Sequence, residues 1–158
     1  MPRRRRNSRA AFGWIQPGAP LGASLLTVCA LVQFGLGLYF IALRPPLLPE
    51  DVRYLGLAHA PAADLTAWRS WLNLVFTVMG GQMTAVGALA GALALRYRAA
   101  SPSRGEIALL LAAGLVSAGV MSGVNFALGS DFKWVLLAPP VLWLAAGVSL
   151  LRAAQRPD

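Results

Sequence analysis

Residues 71–95 read WLNLVFTVMGGQMTAVGALAGALAL, 25 positions without a single Asp, Glu, Lys, Arg or His. As an α-helix rising about 1.5 Å per residue, such a segment exceeds a hydrocarbon core of roughly 30 Å. Its apolar residues show no period-two alternation, so a strand is excluded. A backbone in lipid must satisfy its polar groups within its own segment, which leaves a spanning helix. Three further runs, Gly22 to Leu43, Ile107 to Leu128 and Trp134 to Leu151, share this freedom from charge. The fold class expected is an all-α membrane protein, a bundle of four transmembrane helices.

With 158 residues, 57% of them hydrophobic, and a mean hydropathy of +0.60, the chain is too apolar for a soluble domain. Four spans (22–43, 71–95, 107–128, 134–151), a tail (1–20) and an outer loop (44–70) account for nearly all of it. We therefore expect a single integral domain over 1–158. The first run exceeds the usual 7 to 15 residues of a secretory h-region, and Tyr39, Phe40 and Ile41 stand where small residues would mark cleavage, so it reads as a span. Arg3 to Arg6 lack the hydrophobic pair of a twin-arginine signal.

The basic residues order the topology. Arg3, Arg4, Arg5, Arg6, Arg9, Arg96, Arg98, Arg104, Arg152 and Arg156 fall on one side of the four spans, and only Arg44, Arg53, Arg69 and Lys133 on the other. The positive-inside rule then places both termini in the cytoplasm, as for a protein of a bacterial inner membrane. Glu50, Asp51, Asp64 and Asp131 balance the outer side, so the net charge of +8 is cytoplasmic. Arg3, Arg4, Arg5, Arg6 and Arg9 are expected to meet anionic lipid headgroups, each contributing about 1 kcal/mol. No stacking aromatics interleave these arginines, which argues against nucleic acid. Phe12, Trp14 and Ile15 would lie at headgroup depth on that side, and Trp68, Trp71 and Trp134 on the other.

In the outer loop, Pro45, Pro46 and Pro49 end the first helix. Glu50 and Asp51 favour a new helix N-terminus, predicting a short amphipathic helix over Pro49 to Ala58 on the outer membrane surface. Pro61 and Asp64 predict a helix start that continues through Trp68 into the second span.

Within that span Asn73, Thr77, Gly80, Thr84, Gly87 and Gly91 recur at alternating steps of four and three. A stripe of small and polar side chains at this spacing is a packing seam, because helices in lipid associate by close backbone approach and interhelical hydrogen bonds. Gly114, Ala118, Met121 and Asn125 repeat the pattern in the third span, and the link between the two spans is short. The two are therefore expected to be antiparallel neighbours crossing near about +20°, with Asn73 and Asn125 at similar depth and hydrogen-bonded. Gln33 and Gln82 sit mid-span, Gln82 opposite the seam, where it would bond Gln33 or another copy of the chain. The GxxxG matches Gly87 with Gly91 and Gly119 with Gly123 are common by chance. Pro139 and Pro140 are expected to kink the fourth span at its centre, with Trp143 filling the bend.

The absences narrow the chemistry. Cys29 is the sole cysteine and His59 the sole histidine, which removes dithiol exchange, bis-histidine haem ligation and a histidine metal site within this chain. The spans carry no carboxylate to relay a proton. Cys29 reads as a small buried hydrophobe and His59 as a solvated loop residue.

The segment Leu48-Pro49-Glu50-Asp51-Val52-Arg53-Tyr54-Leu55-Gly56, followed by Val75-Phe76-Thr77-Val78-Met79-Gly80-Gly81, resembles small uncharacterised bacterial four-helix membrane proteins. The resemblance implies the four-span topology and carries no catalytic residue. It also implies that Pro49 to Gly56 docks against the helix bearing Gly80 and Gly81.

The expected function is that of a non-catalytic integral membrane protein, an oligomer or an accessory or structural subunit of a larger membrane complex, with no cofactor and no metal. The alternative is a small channel or carrier using Gln33, Gln82, Asn125 and the Pro139-Pro140 break. A membrane enzyme would be confined to Glu50, Asp51, Arg53, Tyr54, His59 and Asp64 of the outer loop.

Overall fold

A computed structural model describes residues 20–155, so the arginines from Arg3 to Arg9, with Phe12, Trp14, Ile15 and Arg156, lie outside the described residues. Six α-helices follow in order: α1 Pro20–Ala42, α2 Pro49–Tyr54, α3 Ala62–Ala99, α4 Arg104–Gly114, α5 Val120–Ala127 and α6 Ala138–Ala153. A π-turn at Leu115–Gly119 joins α4 to α5, and 3-10 turns cover Leu57–His59 and Val135–Leu137. No strand occurs among the described residues. Four helical stretches, Leu21–Ala42, Asp64–Ala99, Arg104–Ala127 and Val135–Ala153, are long and apolar enough to cross a membrane.

Pro61 caps α3 and Asp64 lies in its first turn, as expected. From there the helix is unbroken for 38 residues, about 57 Å, so its first turns project beyond any single hydrocarbon layer. At its other end Ser103 and Glu106 form a capping box: Ser103 Oγ accepts from Glu106 N at 3.2 Å, and Glu106 accepts from Ser103 N at 2.7 Å. Arg96 pairs with Glu106 across this turn. The Ser-x-x-Glu spacing is the signature of this cap, and the expectations from sequence did not include it.

The helices pack as a row, α3 on α1, α1 on α6, and α6 on the third span. The second and third spans are not the neighbours expected. They meet near the 100–103 turn, where buried Tyr97, Ile107 and Leu110 join one core cluster, and are not close partners along their lengths. The cause is a stripe in α1 that sequence analysis did not weigh. Ala23, Leu26, Ala30, Gln33 and Gly37 are all buried, at steps of three and four, and of these Ala30 and Gly37 meet the glycine seam of α3 directly, beside Phe34 and Ile41.

That seam is a contact of backbone on backbone. A Cβ built on Gly80 would stand 2.6 Å from Gly37 O, one on Gly87 2.5 Å from Phe34 N, and one on Gly37 2.5 Å from Thr84 N. Gly91 would meet Ala30 at an ordinary 3.7 Å. The seam ends at Gly80. Beyond it Thr77 and Asn73 are exposed, because α1 terminates at Ala42 while α3 continues.

The third span offers its small residues to α6 instead. A side chain at Gly114 would collide with the Trp143 indole, and one at Gly147 with Leu111, whose Cγ would be 2.9 Å away. Each glycine thus makes room for a large residue of the other helix. Trp143 is 3% exposed and its Nε1 donates to Leu110 O at 2.7 Å, one turn before the π-turn.

Pro139 and Pro140 do not kink a helix centre. They occupy the first turn of α6, following the 3-10 turn and the cap at Leu137. Amides in a first turn have no intrahelical acceptor, so proline there removes nothing the helix needs.

Candidate functional site

Polar groups gather at the end of the molecule that carries the 44–61 loop. Pro49 opens α2, and the Asp51 carboxylate accepts from Leu48 N at 2.8 Å, closing its first turn. Arg44 donates to the same carboxylate at 3.1 Å, and its guanidinium lies 3.4 Å from the Phe76 ring centroid and 5.5 Å from that of Phe40. One arginine therefore ties the end of α1 to both α2 and α3.

The opposite side of α2 is held by the turn between α5 and the fourth span. Gly129, at φ +62°, ends α5 as a left-handed cap: its N–H donates to Phe126 O at 3.1 Å and Ser130 N donates to Asn125 O at 3.0 Å. This turn aims Ser130 inward, where it is 1% exposed and donates to Glu50 Oε1 at 3.2 Å. Glu50 is itself 7% exposed. At the surface Arg53 forks onto both Asp131 oxygens at 3.1 Å, a pair too exposed to contribute much. Between these attachments lies a cleft of about 150 Å³, lined by Glu50, Asp51, Tyr54, Leu55, Leu72 and Leu128. Eighty positions separate Glu50 from Ser130, and no local pattern announces their contact.

The site residues expected from sequence do not converge. Gln33 is 2% exposed in the interior, and its Oε1 has no hydrogen-bond partner. Gln82 is exposed on the outward face of α3, so the two amides do not bond to one another. Asn73 is exposed, whereas the half-buried Asn125 donates to Met121 O at 2.9 Å. The expected Asn73–Asn125 bond is absent, because the two spans carrying them diverge from the 100–103 turn. Gly80, Gly87 and Thr84 do form a contact, with α1, and Thr84 Oγ1 donates back to Gly80 O at 2.8 Å. Pro139 is buried at the start of α6.

Of the candidate groups of an outer-surface enzyme, Glu50, Asp51 and Tyr54 line the cleft, with Asp51 and Arg53 engaged in separate ion pairs. Among the described residues no three His, Cys, Asp or Glu side chains group as metal ligands. Cys29 is buried.

No family model, no curated protein and no solved structure matches this chain. The resemblance of Leu48–Gly56 and Val75–Gly81 to small four-helix membrane proteins thus gains no support from comparison. α2 does lie beside the helix that bears Gly80 and Gly81, but not at those two glycines. Its cleft reaches Leu72, two turns nearer the start of α3, while Gly80 faces α1 and Gly81 is exposed with no neighbour within 4 Å of a Cβ.

Proposed function

We propose that the chain is a non-catalytic integral membrane protein that works within an assembly, as a homo-oligomer or as an accessory subunit, and that the outward face of α3 is its contact surface. Gln82 carries this reading. A lone amide at mid-span, exposed and turned away from α1, is costly in lipid unless another chain supplies its hydrogen bonds. Gly81, Ala85, Ala88 and Ala92, all exposed, flank it with a surface shallow enough for a second helix to approach closely. By the positive-inside rule we place both termini in the cytoplasm of a bacterial cell. The arginine tail then rests on the anionic inner leaflet, and α2 lies near the outer membrane surface.

The test counts copies of fluorescently labelled protein in supported bilayers by photobleaching and identifies what co-purifies after mild extraction. The wild type should appear as an oligomer or with a fixed partner, and Gln82→Leu or Gly81→Leu should release single copies. Wild-type protein that is single and alone in both measurements would refute the proposal. A channel or carrier draws less support, because Gln33, Gln82, Asn125 and Pro139 face different surroundings rather than one passage.

A further inference from the structure

The cleft beneath α2 contains one charge that the fold does not neutralise. Arg44 is taken by Asp51 and Arg53 by Asp131, while among the described residues the hydrogen-bond partner of Glu50, at the cleft wall, is the neutral Ser130 hydroxyl. Among the described residues no cationic side chain lies within ion-pair distance of Glu50. A carboxylate drawn this far from water is costly unless a cation or several donors meet it, and one hydroxyl leaves most of its acceptor capacity open.

The remaining walls are mainly apolar. Leu55 comes from the segment after α2, Leu72 from α3, and Leu128 from the end of α5. Exposed aromatic residues surround this end of the molecule: Trp68 stacks edge-on with Trp71, and Trp134 edge-on with Phe126. Amphipathic rings of this kind settle at headgroup depth, so the cleft opens where lipid headgroups begin. Its volume of about 150 Å³ equals that of an engineered cavity that accepts benzene, enough for a few heavy atoms.

We infer that this cleft holds the primary ammonium group of an aminophospholipid, phosphatidylethanolamine in chemical type, with the ammonium on Glu50 and the adjoining carbons against Leu55, Leu72 and Leu128. A primary ammonium brings both the missing charge and three N–H donors for the open carboxylate positions. A choline headgroup brings the charge without donors and with three added methyl groups. A glycerol headgroup brings no positive charge. Bound this way, the lipid would fasten α2 between the second and third spans, which are otherwise apart at this end.

The experiment reconstitutes the full chain in nanodiscs holding equal phosphatidylethanolamine, phosphatidylcholine and phosphatidylglycerol, re-extracts it gently, and quantifies the retained lipid by native mass spectrometry. Phosphatidylethanolamine should be enriched about tenfold over phosphatidylcholine, the scale of one charge-assisted hydrogen bond. Glu50→Gln keeps shape and the Ser130 contact but should abolish the enrichment. Leu128→Phe, which fills the cleft and leaves Glu50 in place, should abolish it too and decides the matter if Glu50→Gln does not fold. Absence of the preference in the wild type, retention of phosphatidylglycerol instead, or a preference that survives in a folded variant would overturn the inference. The readout is independent of copy number, so its failure is distinct from failure of the α3 contact.

Discussion

Replacing Gly37, Gly80 or Gly87 by alanine adds one methyl group, and the structure specifies where each would go. At Gly80 it would sit 2.6 Å from Gly37 O, and at Gly87 2.5 Å from Phe34 N. Both obstacles are backbone atoms, which cannot rotate aside. Ordinary contact needs about 3.5 Å, so α1 and α3 must separate by roughly 1 Å, and a gap of that size forfeits about a quarter to a half of each dispersion contact along the interface. Overpacking of this kind costs about 1 to 3 kcal/mol, more for leucine than for alanine. Gly35→Ala is the matched control, two residues from Gly37 on the same helix but with nothing within 4 Å of the added carbon. There alanine should be neutral or stabilising by up to about 1 kcal/mol, since glycine is the poorer helix former. Leucine at Val75, on an exposed part of α3, should also do little to the fold. Reversible unfolding in mixed micelles, followed by tryptophan fluorescence, measures all of these variants. Equal loss at Gly35 and Gly37, or no loss at any of the three seam positions, would refute the backbone contact.

Trp143→Phe should cost about 1 kcal/mol by deleting the hydrogen bond to Leu110 O, and Trp143→Ala about 3 to 5 kcal/mol by emptying the space that Gly114 leaves for the indole; the same unfolding assay checks both. Reporter fusions at Asp158 should be cytoplasmic and those within 58–63 exported, and export of the C-terminal reporter would reverse the proposed orientation.

Residues that act through their own neighbours were legible. The absence of charge over 71–95 is enough to predict a helix long and apolar enough to cross a membrane, because the hydrogen-bond requirement of a backbone in lipid is local. Pro61 with Asp64 starts a helix through groups within one turn, and the Ser103–Glu106 cap, though missed, is equally local. The glycine seam at Gly80, Thr84 and Gly87 could be recognised as a contact face from its spacing alone. Its partner could not. Stripes of small residues in α1, in the third span and on the outward face of α3 are chemically alike, and lipid exerts no hydrophobic preference among them. Three-dimensional fit made the choice, bringing Gly37 to Gly80 and Thr84 while Trp143 took the place against Gly114. The same holds for the polar residues. Gln33 and Gln82 are equivalent mid-span amides by sequence, but the packing of α1 between α3 and α6 buries one and leaves the other facing outward. Pro139 and Pro140 were mistaken for a kink because the charge-free run extends beyond the α-helix it contains, and only the fold showed that α6 begins at Ala138. Local chemistry determined that four long apolar helices form and approximately where they run; the shapes of their surfaces, set by residues far apart in the chain, decided which of them touch and that Glu50 meets Ser130.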